Sequence, residues 1–222
     1  MAKLDPSAAT PATRTSGRTL DHAAGVYDLL APVMTLGQER RFRRAVIELL
    51  ALKGGERVLD VGCGTGVLTR QIAGAGPAPA LVVGVDAAVK MIEVAARKAA
   101  GTPNVRFDAD IAEDLPYPDA SFDRAVSTFF FHHVNFDLKV RALNEMWRVL
   151  KPGGTAVIVD VDVPTNWFGA LCAWSGYWLF RQDEIRENIR GLLRTAMEQS
   201  AFAGGTPVSH HTGYVTVFRL SK

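Results

Sequence analysis

Three glycines and an acid at fixed spacing form the part of the sequence best suited to bind a ligand. Gly62, Gly64 and Gly66 follow a buried apolar strand and precede a helix at 67–75. A loop without Cβ atoms lets a ligand contact the backbone, and the free N–H groups of the helix point toward it. A second strand ends at Asp86, 20 residues after Gly66, where a carboxylate can accept both hydroxyls of a ribose. The pattern predicts a nucleoside-binding half-domain; the plainer alternative is a glycine turn that only packs a helix on a strand.

The charge of this loop indicates the class of ligand. Its glycines are spaced G-x-G-x-G, whereas dinucleotide-binding folds use G-x-G-x-x-G to seat a pyrophosphate. An acid, Asp60, stands just before the first glycine. Negative charge at the mouth of the loop suits a cationic or zwitterionic ligand better than a pyrophosphate.

Several stretches resemble one known family. Residues 58–66 (VLDVGCGTG) closely resemble the first motif of class I S-adenosylmethionine (SAM)-dependent methyltransferases. Residues 115–123 and 145–154 resemble that family's approach to strand four and its signature between a helix and strand five. The front segment 27–37 is similar to the ubiquinone/menaquinone biosynthesis C-methyltransferases of the type 11 group. This match is looser than the other two and is also compatible with phospholipid and sterol methyltransferases.

This resemblance implies SAM as the cofactor, S-adenosylhomocysteine (SAH) as the product, and no metal. It places Asp60, Gly62 and Gly64 around the methionine moiety and Asp86 on the ribose hydroxyls. The implied cofactor-binding residues are Tyr27, Asp60, Gly62, Cys63, Gly64, Asp86, Ala87, Met91, Asp110, Ile111, Thr128 and Phe129.

The adenine side of the predicted site departs from the family pattern. The acid that meets adenine N6 in the family corresponds to Ile111 here, and Asp110 lies one residue earlier. Either Asp110 still reaches N6 through a bulged loop, with Ile111 as an apolar neighbour, or a backbone group does so. Ala87 and Met91 are expected to pack against adenine, the alternative for Met91 being a plain core contact. Tyr27 either closes over the donor or is a core tyrosine.

Candidate catalytic residues follow the fourth predicted strand. Its end, TFFFHH, is expected to form the wall between donor and acceptor, because the carboxyl ends of parallel strands face the crevice. His133 is the candidate general base, since an imidazole titrates near working pH. Alternatively, His132 and His133 only orient or pack. Asp160 and Asp162, after the fifth strand, are the second choice.

An aromatic segment at 164–182 follows the fifth strand. Its tryptophans Trp167, Trp174 and Trp178 are expected to contact the acceptor as part of a lid. The alternatives are a second hydrophobic cluster or a dimer face. An earlier helix carries arginines that either meet lipid phosphate or face solvent: Arg40, Arg41, Arg43 and Arg44.

The remaining pattern predicts an α/β fold with a Rossmann-like, doubly wound seven-stranded sheet, mostly parallel with a C-terminal antiparallel strand. Residues 1–19 are expected to be a disordered tail, and residues 20–222 a single SAM-dependent methyltransferase domain. The predicted strands after the first are 81–86, 105–110, 124–131, 155–162, 207–212 and 214–220. The predicted helices are 40–53, 67–75, 87–100, one ending near 150, and 183–202.

Composition narrows the class of partner. The 222-residue chain has a formal net charge of +2, which is too small to indicate a nucleic-acid partner. Two cysteines, one inside the glycine loop, indicate reduced thiols and a cytoplasmic location. The tail has no apolar core, so it is not a secretory signal, although Arg14 and Arg18 leave an organelle-transit interpretation open. His210 and His211 are expected at the surface, because a zinc site needs more ligands.

The acceptor itself stays open at this stage. The leading hypothesis is methyl transfer from SAM to an apolar small molecule, quinone-like or otherwise aromatic or lipidic, by proximity and desolvation. The alternatives are a phospholipid-headgroup N-methyltransferase and a non-catalytic SAM-binding protein; the loop spacing argues against a nicotinamide dehydrogenase. A peripheral membrane contact is compatible with the sequence, as is a monomer or a homodimer.

Overall fold

The computed structural model describes residues 10–15, 17 and 37–222, and the bounds below refer to these residues. The strands are Arg57–Val61 (β1), Leu81–Asp86 (β2), Val105–Ala109 (β3), Phe122–Thr128 (β4), Leu150–Val161 (β5), Thr206–His211 (β6) and Val215–Ser221 (β7). The helices are Pro11–Arg14 (α1), Glu39–Leu50 (α2), Val67–Ala73 (α3), Val89–Lys98 (α4), Phe136–Val149 (α5), Trp167–Phe180 (α6), Asp183–Ile189 (α7) and Leu192–Gln199 (α8). A 3₁₀ turn spans Phe131–His133.

The strands form one sheet in the order β3-β2-β1-β4-β5-β7-β6. Strands β1 to β5 pair in parallel, whereas β7 pairs antiparallel with both β5 and β6. This confirms the predicted seven-stranded, mostly parallel sheet and its antiparallel C-terminal strand. The strand order reverses between β1 and β4, and in such sheets ligands bind in the crevice at the carboxyl ends of these strands.

Helices cover both faces of the sheet. Helices α2 and α3 bury one apolar stripe, which includes Phe42, Val46 and Ile72, against the middle strands. Helices α5 and α8 bury Leu143 and Leu193 on the opposite face. Because both faces are covered, the middle strands carry apolar side chains in both directions, as parallel sheets require. The two layers fix the positions of the strand ends, and therefore of the loops that follow them.

Three predicted elements need correction. Strand β4 ends at Thr128 and not at residue 131, because Phe129 has a φ of +54°, outside extended geometry. The predicted helix 183–202 is two helices, since Gly191 adopts a φ of +88° between them. Strand β5 begins at Leu150 and not at residue 155, because Leu150 already pairs with Phe122 of β4.

The start of the chain contains one described helical turn. Helix α1 lies within the predicted disordered tail, and Arg14 pairs with Asp110 and Asp114 at 2.9 and 3.0 Å. The domain division, with its disordered tail at 1–19, stays a prediction. Tyr27 lies outside the described residues. Among the described helices, none has the length and apolar character needed to cross a membrane.

Candidate active site

The glycine loop is held by backbone contacts to β2. The N–H groups of Gly62 and Cys63 donate to the carbonyl of Val85 at 2.9 and 3.1 Å. Gly62 and Gly66 have φ near +70°, and a Cβ at Gly62 would lie 2.6 Å from the ring of Phe130. The backbone conformation and this close approach therefore require glycine at position 62.

The middle glycine of the loop faces open space. Gly64 has a φ of +53°, and a Cβ there would meet no atom within 4 Å. It leaves room for a ligand to approach the backbone. Burial raises the pKa of the Cys63 thiol, so this side chain is neutral at neutral pH. Both cysteines are free, as predicted.

Asp60 is a buried acid at the mouth of the loop. It is 1% exposed, and its Oδ2 accepts a hydrogen bond of 2.6 Å from the Thr69 hydroxyl. Its Oδ1 is buried and has no hydrogen-bond partner among the described residues. Burial, with a smaller contribution from the charge of Asp86, raises the pKa of Asp60 to about 7. A buried acceptor of this kind fits the charged amino group of a zwitterionic ligand such as SAM.

Asp86 lies beside the loop, at the end of β2. Its Oδ2 accepts the Gly64 N–H at 2.9 Å and its Oδ1 accepts the Ala88 N–H at 2.8 Å. An ionised carboxylate offers about four acceptor positions, which is the chemistry that a pair of ribose hydroxyls requires. The structure brings Asp60, Gly64 and Asp86 together; their contacts with a cofactor stay predictions.

The predicted adenine side lies at the ends of β2 and β3. The Asp110 N–H donates to the Asp86 carbonyl at 3.2 Å, which brings the two strand ends together. The Asp110 carboxylate accepts from the Ile111 N–H and from Arg14, both at 2.9 Å. Arg14 therefore already binds one oxygen of Asp110, the carboxylate that is predicted to reach adenine N6. The sequence contained no signal for this contact, since the partners are 96 residues apart.

The apolar side chains of this region have different surroundings. Met91 is buried with Ala88 in a small cluster separate from the main core. Ile111 is also buried, whereas Ala87 is half-buried. Met91 thus lies at the start of α4, close in the chain to Asp86, and its predicted contact with adenine stays a prediction.

The end of β4 contains a histidine held by a buried acid. His132 Nδ1 lies 2.7 Å from Asp160 Oδ1, and both side chains are buried. Asp160 also accepts the N–H groups of Phe131 and Val161 at 2.7 and 2.8 Å. Because the carboxylate only accepts here, the imidazole donates from Nδ1, and its Nε2 is the basic nitrogen. The ring of Phe129 lies 6.3 Å from that of His132.

The other predicted polar candidates have different environments. The ring of His133 lies 4.0 Å from that of His132, on the same turn. Asp162 is fully buried and pairs with Arg194 at 2.6 Å and with the Thr216 hydroxyl at 2.6 Å. Asp162 therefore has a structural ion pair, and Asp160 is the acid that orients a histidine.

Lys139 and Asn188 support the histidine turn, and the sequence reasoning missed both. The Asn188 amide lies 3.4 Å from Asp160 Oδ1. Lys139 is fully buried and donates to the Val134 carbonyl and to Glu187 at 2.5 and 2.7 Å. Burial lowers the pKa of Lys139, and the nearby carboxylates oppose that shift. The available signal was a lysine on the apolar stripe of helix α5.

The three predicted acceptor-binding tryptophans lie in different surroundings. Trp167 and Trp178 are 79% and 67% exposed. Trp174 packs on the cluster formed by Val161 and Ile189. Within the described residues, no group of three or more His, Cys, Asp or Glu side chains is arranged to hold a metal ion.

Known proteins show similarity over most of the chain. A family profile described as "Methyltransferase domain" matches residues 58–154. An uncharacterized methyltransferase of Synechocystis sp. is 33% identical over 181 residues, covering 80% of this chain and 82% of that protein. The ubiquinone/menaquinone biosynthesis C-methyltransferase UbiE of Geobacter sp. is 38% identical over 142 residues, which is 63% of this chain. The chain spans only 60% of the length of that relative.

A solved structure matches the fold. The SAM-dependent methyltransferase of Aquifex aeolicus has a TM-score of 0.62 and 20% identity, covering 92% of this chain and 99% of that one. The fold, the first-motif loop and the sequence similarity agree with one another. The chain belongs to the class I SAM-dependent methyltransferase family.

Proposed function

We propose that this protein transfers a methyl group from SAM to an apolar, hydroxylated aromatic acceptor of the quinone-precursor type. The observation that carries the proposal is the buried His132–Asp160 pair at the end of β4. A hydroxylated acceptor must lose a proton to become a nucleophile, and an imidazole oriented by a carboxylate can take it. The names of relatives such as the demethylmenaquinone methyltransferase of Deinococcus radiodurans, 40% identical over 147 residues, support this acceptor class.

Residues of the glycine loop supply the cofactor contacts in this proposal. Asp60 Oδ1, buried without a partner in the described structure, accepts the amino group of SAM. The space at Gly64 admits the methionine part, and Asp86 accepts the ribose hydroxyls. SAM supplies a methyl group that is already activated by its sulfonium sulfur. The protein's task is therefore to align the acceptor and to exclude water.

The acceptor side is apolar apart from the histidines. Phe129 and Phe130 follow β4, and Phe130 packs directly against Gly62 of the loop. In this proposal the phenylalanines exclude water while His132 Nε2 takes the hydroxyl proton of the acceptor. The electron pair left on the acceptor forms the new bond to the methyl carbon, and the pair of the broken bond stays on sulfur. Asp160 acts as a positioning residue, because it touches His132 and not the acceptor.

The His132→Ala variant tests the proposed base. Loss of a general base costs typically about 10²–10⁴-fold in rate, so we expect kcat to fall by at least about 100-fold. The SAH dissociation constant should stay the same, because His132 has no predicted cofactor contact. The measurements are methyl transfer from labelled SAM to a panel of hydroxylated naphthalene and benzene acceptors, and calorimetric titration with SAH.

Asp160→Asn and His210→Ala complete this test. Asn at 160 can donate to Nδ1 and favour the wrong tautomer, so the acidic limb of the pH–rate profile should shift along with a reduced kcat. His210 is an exposed histidine bonded to Thr216 at 2.9 Å, and its removal should leave kcat unchanged. If His132→Ala keeps the wild-type kcat and pH profile, His132 is not the base.

A further inference from the structure

Helix α6 presents large apolar side chains to solvent. Trp167, Leu171 and Trp178 are 79%, 61% and 67% exposed, and their spacing places them on one stripe along the helix. Leu179, 76% exposed, lies beside this stripe. The opposite side of α6 packs on the protein, with Ala173 buried in a cluster with residues of α7 and β5. A continuous stripe of large exposed apolar side chains is typical of a contact surface.

The composition of α6 is that of a helix at a membrane surface. Between Trp167 and Phe180 there is no charged residue, and a tryptophan stands near each end of the exposed stripe. Tryptophan is enriched at membrane–water interfaces because its ring is apolar and its N–H is polar. With 14 residues, the helix is about 21 Å long and too short to span a bilayer, but it can lie in the plane of the interface.

Basic side chains lie near both ends of this helix. Gly169 of α6 packs against Gly213, in the turn between β6 and β7. His211, just before that turn, lies 5.0 Å from the ring of Phe42 in α2. Burial and the charges of His210 and Arg41 lower the pKa of His211, so Arg41 of α2 lies near the same edge of the molecule as α6. The basic fringe comprises Arg41 and, at the C-terminal end of α6, Arg181; both are exposed.

Two of the acids that follow α6 already have basic partners: Asp183 pairs with Arg186 at 2.9 Å, and Glu187 pairs with Lys139 at 2.7 Å. A second copy that docked through the same surface would bring arginine fringes together. Anionic lipid headgroups complement both the fringe and the apolar stripe.

We propose that α6 and the basic fringe dock the protein on a bilayer that contains anionic lipid. The stripe enters the boundary between headgroups and acyl chains, and the arginines contact the headgroup phosphates. Docking would give the protein access to an apolar acceptor that is dissolved in the bilayer. Only this role for docking rests on the proposed function. Docking itself is measured without catalysis, so the two can fail separately.

Vesicle flotation tests the docking surface. The probes are vesicles of phosphatidylcholine alone and vesicles with about one third phosphatidylglycerol, each at low and at high salt. We expect binding to the anionic vesicles, at least ten-fold weaker binding to the neutral ones, and loss of binding as salt screens the arginines. Brominated acyl chains should quench the tryptophan fluorescence of the bound protein.

Matched variants assign the binding to this surface. Trp178→Ser combined with Leu179→Ser should reduce binding at least ten-fold, whereas Val208→Ser, which removes another exposed apolar side chain on β6, should not. Arg41→Glu combined with Arg181→Glu should reduce it similarly, whereas Arg97→Glu at the far end of α4 should not. Calorimetric titration with SAH should give the wild-type affinity in every variant, which shows that each is folded.

Two outcomes overturn the proposal. One is wild-type protein that floats with neither kind of vesicle, or binding that the α6 variants leave unchanged. The other is a dimer, measured by light scattering, that Trp178→Ser and Leu179→Ser convert to monomer without any vesicle binding by the wild type. In either case normal methyl transfer would leave the proposed function standing.

Discussion

The surroundings of Asp60 differ strongly from those of an ordinary surface acid. Its carboxylate is buried, with one oxygen bonded to Thr69 and the other without a partner in the described structure. The cost of holding a buried charge raises the pKa of Asp60 to about 7. A bound ammonium group would favour the charged form, so cofactor binding and the ionisation of Asp60 must be coupled.

This coupling predicts a pH-dependent affinity. As pH rises from about 5.5 to about 7, the fraction of charged Asp60 increases, so SAH affinity should rise about ten-fold. Asp60→Asn should bind more weakly and lose this dependence, whereas Asp137→Asn, at an exposed position, should keep it. Calorimetric titration across this pH range makes the measurement. Equal pH dependence in wild type and Asp60→Asn would contradict the assignment.

The same pKa shift has the opposite effect on the stability of the ligand-free protein, which falls as pH rises. The pKa of Asp60 is raised in the folded protein, while the unfolded chain has the ordinary value of about 3.9. Between about pH 4 and pH 7 the folded state holds the proton and the unfolded state releases it. The contribution of Asp60 to stability is therefore lost as pH rises through this window. The buried acid weakens the empty fold at neutral pH and favours the bound state.

At the scale of elements, the turn that contains His132 depends on the position of α7. Asn188 of α7 lies 3.4 Å from Asp160, and Glu187 pairs with the buried Lys139 of α5. Lys139 also donates to the Val134 carbonyl, directly after the turn. Helices α5 and α7 and the turn after β4 therefore share one buried polar network, in which these side chains are hydrogen-bonded to one another or to the backbone.

Removal of Lys139 should destabilise this arrangement. Lys139→Ala leaves Glu187 and the Val134 carbonyl without their donor, and breaking a buried pair costs about 3–5 kcal/mol. Urea denaturation measures the free energy of unfolding. Lys53→Ala, at an exposed lysine, serves as the control and should change it little. An unchanged free energy of unfolding in Lys139→Ala would mean that the ion pair has no net stabilising effect.

For the whole molecule, cofactor binding should be visible as thermal stabilisation. A ligand that binds only the folded state stabilises it by about 2.7 kcal/mol at a concentration of 100 times its Kd. For a chain of 222 residues, this corresponds to a rise in Tm of about 5–10 °C. SAH should produce this shift and NADH should not, because the loop lacks the spacing that seats a pyrophosphate. Differential scanning calorimetry makes the comparison, and a shift with NADH alone would contradict the cofactor assignment.

Local spacing along the chain was sufficient to predict several parts of the fold. The β1 strand, the glycine loop, α3 and the acid that ends β2 follow one another within 30 residues, and each carries its own pattern of apolar residues or glycines. The antiparallel pairing of β6 and β7 was predicted because only a short turn joins them. These features repeat the periodicity or turn chemistry of neighbouring residues, so no knowledge of distant contacts was needed.

Contacts between side chains that are distant in the sequence could not be predicted from local spacing. His132 and Asp160 are 28 residues apart, and Lys139 and Glu187 are 48 apart. Helix α6 is apolar on all sides, so its periodicity could not show that Trp167 and Trp178 face solvent while Trp174 packs inward. Such side-chain contacts and exposures arise when separate helices and strands pack on the two faces and the edge of the sheet. The spacing of residues along the chain does not encode that packing, and for this reason the oriented histidine and the exposed aromatic helix became apparent only in three dimensions.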